Sequence, residues 1–186
     1  MQYAFYFDQS KCMSCNTCTV ACKDYNQVNP GPVRWRKQQT FEESIGSRFL
    51  NLSMSCNHCE KPECVTVCPM FAYTKTAMGP VIHNYEACIG CSKCVAACPY
   101  SAPVFDLQAN KASKCDMCYD RMQDGLDPYC AQCCPNNALK VDTYENLVAR
   151  YGEAQDLSAL SAGTTLNSLI PSGDLTNPSI VIKHWS

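Results

Sequence analysis

Cysteine is the residue type in this sequence that is best able to do chemistry. Seventeen of the 186 residues are cysteine, about 9 %, a level typical of a disulfide scaffold or of a set of metal sites. They form four groups, which are Cys12, Cys15, Cys18 and Cys22; Cys56, Cys59, Cys64 and Cys68; Cys88, Cys91, Cys94 and Cys98; and Cys115, Cys118 and Cys130 with either Cys133 or Cys134. Four groups of four therefore account for all but one of the thiols.

The spacing inside the groups predicts iron-sulfur clusters. The first and third groups read C-x2-C-x2-C-x3-C, the second has four residues in its middle gap, and the fourth has eleven. The last three groups end in Cys-Pro, as the bacterial ferredoxin run does. Two-residue gaps let one tight loop bring three thiolates to three corners of a cubane, and the fourth cysteine ligates the other cluster of a pair. The groups should work in pairs, and four groups predict four clusters.

Two other uses of cysteine fit the sequence less well. A zinc site takes four ligands from two CxxC pairs and needs neither a third CxxC step nor a repeated Cys-Pro. A disulfide framework is typical of exported chains, and no basic region with an apolar run precedes Cys12. We assign no metal to His58, His83 or His184, because the cysteine sets are complete, and we predict surface or hydrogen-bonding positions for them.

The run YCAQCCPN (129–136) holds one cysteine more than a cluster needs. Cys130-x3-Cys134-Pro repeats the ending of the second and third groups, whereas Cys133 would leave two intervening residues and no following proline. We therefore predict Cys134 as the ligand. Cys133 is predicted to be a buried, unreactive thiol, because free cysteine packs as a small hydrophobe.

Short strands and helices must position these groups. The sequence predicts strands at YAFYF (3–7), RFLNLSMS (48–55) and ALKVD (138–142), and on either side of the Gly-Pro turn in TKTAMGPVIHN (74–84). A helix is predicted at TYENLVARYG (143–152), which has a Thr N-cap and a terminal Gly. NQVNPGPVRW (26–35) reads as a loop, with Trp35 packed against a cluster loop.

A strand, a cluster loop and a short helix, repeated, predict an α+β fold of two bacterial-ferredoxin-like units. Neighbouring groups could pair, or groups two and three could nest inside a frame made by one and four. The longer gap from Cys22 to Cys56 than from Cys68 to Cys88 favours nesting. The nested division gives an outer unit (1–54 and 99–152), an inner unit (55–98) and a C-terminal extension (153–186). The extension is predicted to contact a partner subunit, the alternative being a frayed tail.

The composition of the sequence argues against binding to nucleic acid and against a membrane span. A 46 % hydrophobic content indicates a globular protein, and a formal charge of -2 with scattered Lys and Arg does not suggest nucleic acid. No apolar stretch reaches the roughly 18 residues that a bilayer span needs, so we expect no direct membrane span.

Longer segments resemble the iron-sulfur electron-transfer subunits of anaerobic dimethyl sulfoxide reductase and related molybdopterin oxidoreductases. The similarity runs from end to end and is carried by the four groups and by ACKDYN (21–26), SCNHCEKPEC (55–64), CDMCYDR (115–121) and NPSIVIK (177–183). It implies a non-catalytic subunit of an anaerobic respiratory complex, which relays single electrons between a quinol-handling polytopic membrane anchor and a molybdopterin catalytic subunit. Departures at the shorter loop around Gln38 to Ser47 and after Trp185 are expected to be contact surfaces.

The resemblance also implies a nested pairing of the cysteines. Carried over position by position, it gives cluster 1 Cys12, Cys15, Cys18 and Cys134; cluster 2 Cys22, Cys115, Cys118 and Cys130; cluster 3 Cys56, Cys59, Cys64 and Cys98; and cluster 4 Cys68, Cys88, Cys91 and Cys94. Some relatives carry Trp at a third-group position and hold a three-iron cluster. Cys91 is present here, so four 4Fe-4S clusters are implied.

Placement and partners follow from the same resemblance. The first cluster would face the molybdopterin subunit and the fourth the membrane, so the protein is expected to be a peripheral, membrane-associated subunit. We expect export with a partner to the outer face, and the cytoplasmic face is the alternative. An electron-transfer subunit of a hydrogenase or formate dehydrogenase complex and a free-standing polyferredoxin remain alternatives. Lys11, Lys93 and Lys114, beside the cluster loops, are predicted to raise cluster potentials or else to be solvated.

Overall fold

The computed structural model describes residues 1–42, 49–152 and 176–183. The strands are β1 (Tyr3–Asp8), β2 (Lys37–Glu42), β3 (Phe49–Met54), β4 (Tyr73–Lys75), β5 (Val81–His83), β6 (Val104–Asp106), β7 (Lys111–Ser113), β8 (Leu139–Thr143) and β9 (Ile180–Lys183). The helices are α1 (Thr17–Tyr25), α2 (Glu63–Thr66), α3 (Lys93–Ala97), α4 (Tyr119–Gln123), α5 (Tyr129–Gln132) and α6 (Tyr144–Tyr151). Within the described ranges, none of the helices combines the length and apolarity that crossing a bilayer requires.

A three-stranded sheet in the order β8-β1-β9 forms the centre of the fold. Strand β1 pairs antiparallel with β8, with Phe7 opposite Leu139, and parallel with β9, with Phe5 opposite Ile180. Because side chains alternate across a strand, β1 faces two environments. Ala4 and Tyr6 pack with Leu147 of α6. Phe5 and Phe7 face the other way, into a core that includes several of the cysteines.

The end of the predicted C-terminal extension forms part of the protein's own sheet. Ile180–Lys183 is a strand with Ile180, Val181 and Ile182 buried, and contact of 153–186 with a partner subunit stays a prediction. Just before it, the backbone of Asn177 accepts a hydrogen bond from Glu60 N at 2.9 Å. The apolar run IVIK is therefore used inside the molecule. For 153–175 and 184–186, which include His184 and Trp185, the prediction lies outside the described residues.

Three two-stranded hairpins complete the sheet structure, namely β2-β3, β4-β5 and β6-β7. The hairpin β4-β5 confirms the strands predicted on either side of the Gly-Pro turn. Strand β2 lies in the segment read as a loop around Gln38 to Ser47, of which 43–48 falls outside the described residues. The strands β6 and β7 have no counterpart among the predicted elements.

Other local predictions are confirmed. Helix α6 begins after Thr143, whose Oγ1 accepts a hydrogen bond from Asn146 N at 3.2 Å, and ends at Gly152 with φ of 91°. The strands at the predicted positions are β1, β3 and β8, and 26–35 is irregular. Trp35 packs against the cysteine-containing core and donates from Nε1 to Ser113 Oγ at 2.9 Å.

The hairpin β6-β7 bears on the proposed division of the chain. It lies in 99–152, the range assigned to the outer unit, but Phe105 and Ala112 pack in one apolar cluster with Tyr73 and Cys94 of the inner unit. The core therefore continues across residue 98.

Candidate iron-sulfur cluster sites

All four cysteine groups are built on the same local backbone pattern. In each group the third cysteine is the second residue of a helix, and these residues are Cys18 in α1, Cys64 in α2, Cys94 in α3 and Cys130 in α5. The sequence predicts a repeat from cysteine spacing, and the structure extends that repeat to helix starts. Gaps of two, four or eleven residues thus lead to one geometry at the third thiol.

Left-handed residues recur at one fixed place in each loop. The residue two positions after the first cysteine has a positive φ in all four groups, and these residues are Ser14 at 61°, His58 at 45°, Gly90 at 72° and Met117 at 65°. Only Gly adopts this conformation without strain, so three of the loops carry a cost. In return, the backbone amides of His58 and Met117 donate to the preceding Cys56 and Cys115 sulfurs at 3.4 and 3.3 Å.

Three cavities are each lined by four cysteines. Site A is lined by Cys12, Cys15, Cys18 and Cys134. Site C is lined by Cys56, Cys59, Cys64 and Cys98. Site D is lined by Cys68, Cys88, Cys91 and Cys94. Each set of four is one that the family resemblance implies should share a cluster.

The remaining four predicted ligands, Cys22, Cys115, Cys118 and Cys130, form site B. All four are buried, and Cys22 interacts electrostatically with Cys118 and Cys130. Asn26 Nδ2 lies 3.7 Å from the sulfur of Cys22 and 3.9 Å from that of Cys118, so one amide reaches two members of the set. The first and fourth groups therefore meet here, although Cys22 and Cys115 are far apart in the sequence.

The four sites follow one another through the molecule. Cys18 of site A interacts electrostatically with Cys130 of site B, and Cys56 of site C with Cys115 of site B. Tyr73 interacts electrostatically with Cys64 of site C and with Cys88 and Cys94 of site D. The order along this line is A, B, C, D.

The thiols are chemically suited to iron. Burial raises the pKa of Cys22 to about 12 and that of Cys118 to about 11. In site C, burial raises the pKa of Cys59 to about 11 and that of Cys64 to about 12. Such thiols stay neutral unless positive charge compensates the thiolate, and a metal supplies that charge. The cysteine sites thus fit a cationic iron cluster.

The cysteines are free thiols, and they are not gathered closely enough in space to bind a single metal ion. All seventeen lie in the described ranges and are free. In those same ranges no three His, Cys, Asp or Glu side chains are placed to hold a single metal ion. A four-iron cubane separates its ligands by the width of the cluster, so cysteine-lined cavities of this kind are the relevant feature.

Cys133 and Cys134 differ in their surroundings. Cys134 lines site A, whereas Cys133 caps the C-terminal end of α5. The sequence predicts a buried thiol at Cys133, but the residue is only half-buried, because the end of a short helix at the surface covers it incompletely.

The three predicted lysines occupy different environments. Lys114 is 2 % exposed, donates to the carbonyls of Val81 and Cys115, and lines site C. Lys11 lines site A and lies 3.8 Å from Asp8 Oδ2. Lys93 is exposed. Of the three, Lys114 is the one whose charge is buried beside a site.

The sequence does not single out Arg36, which is 1 % exposed. Its guanidinium donates to Ser53 O at 3.1 Å and to Ser55 Oγ at 2.8 Å, and it lies 4.5 Å from the centre of the Phe5 ring. Arg36 stands among scattered basic residues in VRWRK, where nothing in the pattern separates it from exposed Arg34.

The two described histidines are not surface residues. His58 is fully buried, and its Nδ1 accepts a hydrogen bond from Val81 N at 2.9 Å. His83 stacks on Tyr73 with ring centres 4.5 Å apart, and burial lowers its pKa to about 4. The hydrogen-bonding alternative is thus confirmed for His58.

Two family models match the sequence. A 4Fe-4S dicluster domain matches residues 48–144, and a 4Fe-4S binding domain matches residues 9–26. Together they cover all the cysteine groups.

Similar proteins are subunits of reductases. The protein is 39 % identical to the B subunit of anaerobic dimethyl sulfoxide reductase of Haemophilus influenzae, over 98 % of its own length and 89 % of that subunit. It is 38 % identical to the B subunit of the Escherichia coli enzyme of the same name, over 98 % and 88 %. The thiosulfate reductase electron transfer subunit of Salmonella typhi is 39 % identical over 75 % of this protein and 74 % of that subunit.

Proposed function

The protein belongs to the family of 4Fe-4S dicluster proteins that includes the B subunits of anaerobic dimethyl sulfoxide reductase, and on that premise we propose that it relays single electrons through four 4Fe-4S clusters. It is an electron-transfer subunit of a molybdopterin reductase and has no catalytic role of its own. The observation that carries the four-cluster proposal is the gathering of sixteen cysteines into four sets of four.

Each set is proposed to hold one cluster. The ligands of sites A, B, C and D are those that the sequence predicts for clusters 1, 2, 3 and 4. Support comes from the shared loop geometry and from the amides aimed at sulfur, which favour the charged form of a thiolate. The seventeenth cysteine, Cys133, is proposed to be a spectator.

The grouping of the cysteines also supports our proposal that two ferredoxin-like units are nested. Sites A and B draw on the first and fourth groups, and sites C and D on the second and third. We propose an outer unit of 1–54 and 99–152 and an inner unit of 55–98. Within the outer range, the hairpin β6-β7 packs against the inner unit. The C-terminal residues 176–183 tie the two units together, because Thr176 lines site C while β9 pairs with β1.

For electrons to pass along the line A, B, C, D, the protein has to fix the distances between clusters, exclude water and place charged groups near them. A bound cluster would supply a one-electron carrier at each site. The protein's own residues hold the thiols at fixed positions. The cysteines of site B, in the middle of the line, are buried away from water. Charged side chains near the sulfurs set the relative affinity of each site for an electron.

The two ends of the line are proposed as the partner contacts. Cys15 of site A and Cys91 of site D are the exposed ligands. Near Cys15, Met13 is 61 % exposed, and next to Cys91 the side chain of Ile89 is 58 % exposed. Apolar surface at a cluster edge suits a docking protein that must bring its own redox centre close. We propose a molybdopterin subunit at site A and a membrane anchor at site D, on the outer face of the membrane.

Co-purification with metal analysis tests this function. The expected result is about sixteen irons on this protein, which is four per cluster, with molybdenum or tungsten in a partner. Twelve irons would contradict the four-cluster assignment. A stable monomer with sixteen irons and no partner would instead favour a free-standing polyferredoxin. A nickel-containing partner would favour a hydrogenase.

A further inference from the structure

Arg36 carries a permanent charge in the interior, and the partners at normal hydrogen-bond distance from its guanidinium are serine groups. A guanidinium stays protonated at any pH that the fold survives. Its donors reach the backbone and hydroxyl of Ser53 and the hydroxyl of Ser55, and within the described ranges it forms no ion pair with a carboxylate. A buried charge without an opposite charge is among the least favourable arrangements in a protein. A negative group must therefore face it.

The groups that face it are the sulfurs of two different sites. Arg36 interacts electrostatically with Cys18 of site A and with Cys22, Cys115 and Cys130 of site B. Ser53 completes the link, because its Oγ lies 3.2 Å from Cys18 Sγ and 3.3 Å from the Arg36 guanidinium. The guanidinium thus lies where the first two sites meet.

Site C has a buried cation of its own. Lys114 acts on Cys64 and Cys98 of site C, and it is held by the carbonyls of Val81 and Cys115. Of the two buried cations, Arg36 therefore faces sites A and B, and Lys114 faces site C.

We propose that Arg36 is a shared, pH-independent counter-charge for the clusters of sites A and B, which raises the midpoint potentials of both. This inference rests on the proposed function, since it requires clusters at these sites. A cation stabilises the more negative, reduced form of a nearby cluster, and burial keeps solvent from screening it. The same charge makes the apo-protein less stable, because without clusters the guanidinium is buried with no anionic partner.

The test is a redox titration of the loaded protein monitored by electron paramagnetic resonance. In Arg36→Gln, we expect two of the four midpoint potentials to fall and the other two to stay unchanged. A tenfold loss in the affinity of each affected cluster for an electron corresponds to a fall of about 59 mV for a one-electron couple. Arg34→Gln is the matched control. Arg34 is exposed and lies two residues before Arg36, so this substitution removes the same charge from the surface. Arg36→Lys, which keeps the charge, should restore most of the shift.

The iron content of the variant is measured in the same preparations. If Arg36→Gln binds fewer irons, loss confined to the signals of two clusters supports the proposal, whereas loss of all four overturns it. Wild type with four clusters and an Arg36→Gln variant with four unchanged potentials would overturn this inference alone. Wild type without four clusters would overturn the proposed function as well.

Discussion

Cys133 and Cys134 share a backbone segment and a chemistry, and they differ only in where their side chains lie. Cys134 is a lining residue of site A, and Cys133 is at the end of α5. At the residue scale, a ligand is therefore distinguished by its position relative to the other three thiols. The sequence could predict that Cys134, and not Cys133, lines site A, because Cys-x3-Cys-Pro encodes one turn of helix followed by the exit of the backbone.

Substitution of each cysteine tests the assignment. Cys134→Ala should remove a ligand of site A, so about four irons and the corresponding paramagnetic signal should be lost or altered. Cys133→Ala should leave about sixteen irons and all four signals, because it deletes one sulfur outside the cavities. Iron analysis with spectroscopy measures both. The reverse pattern would assign the ligand to Cys133.

The residue pattern reveals one of the two buried cations near the sites and not the other. Lys114 could be predicted because it adjoins Cys115, but Arg36 lies between the first and second cysteine groups and adjoins neither. Its burial arises from the fold, which places the loop after α1 beside Ser53 and Ser55. The sequence VRWRK does not indicate which of its basic side chains is buried.

At the scale of elements, the loop of the third group depends on a glycine. Gly90 has φ of +72°, and a Cβ at this position would lie 2.2 Å from the backbone oxygen of Asn110. That loop carries Cys88 and Cys91 of site D, so its shape and the fit of hairpin β6-β7 are coupled.

Gly90→Ala should therefore disturb site D. The Cβ must displace backbone, because its neighbour is a carbonyl and not a flexible side chain, and we expect loss of about four irons with a fall in thermal stability. Gly125→Ala is the matched control, since Gly125 has φ of +73° and no atom within 4 Å of a Cβ. Backbone strain alone should cost about 1 kcal/mol there and leave all irons bound. Equal iron loss in both variants would show that strain, and not the contact with Asn110, is responsible.

Elements were predictable where the signal is local. The cap of α6 and the turn of β4-β5 are encoded within a few residues, and both are present. Strand β2 (KQQTFE) is polar and largely exposed, so it has no apolar alternation to reveal it. Strand β9 pairs with residues more than 170 positions earlier, and no local pattern specifies such a partner.

At the scale of the whole molecule, β9 joins parts that would otherwise separate. It adds the third strand to the central sheet, and Lys183 lies 3.7 Å from the buried carboxylate of Asp8. The residues before it hydrogen-bond to the loop of site C through Ser179 N and Asn57 O at 2.9 Å. The short strand thus supports both units.

Val181→Asp tests this role. The side chain is 1 % exposed and packs with Ala4, Tyr6 and Leu147, so an unpaired carboxylate there should destabilise the fold by about 3 kcal/mol or more. Thermal unfolding of the loaded protein should begin roughly 6 °C lower or more. Leu107→Asp, at a side chain that is 87 % exposed, provides the comparison and should change little. An unchanged unfolding temperature for Val181→Asp would mean that β9 does not stabilise the sheet.

The interleaving of the sites along the sequence has a consequence for biosynthesis. Site C is complete in its cysteines between residues 56 and 98, whereas site A needs both Cys12 and Cys134. A ribosome adds roughly 5 to 20 residues per second, so the earliest thiols wait on the order of ten seconds for their fourth companion. During that interval Cys12, Cys15 and Cys18 are exposed to oxidants and to the wrong metals. On the proposed assignment of clusters, site A can be filled only after Cys134 has been translated, so the first cysteines made are the ones that wait longest.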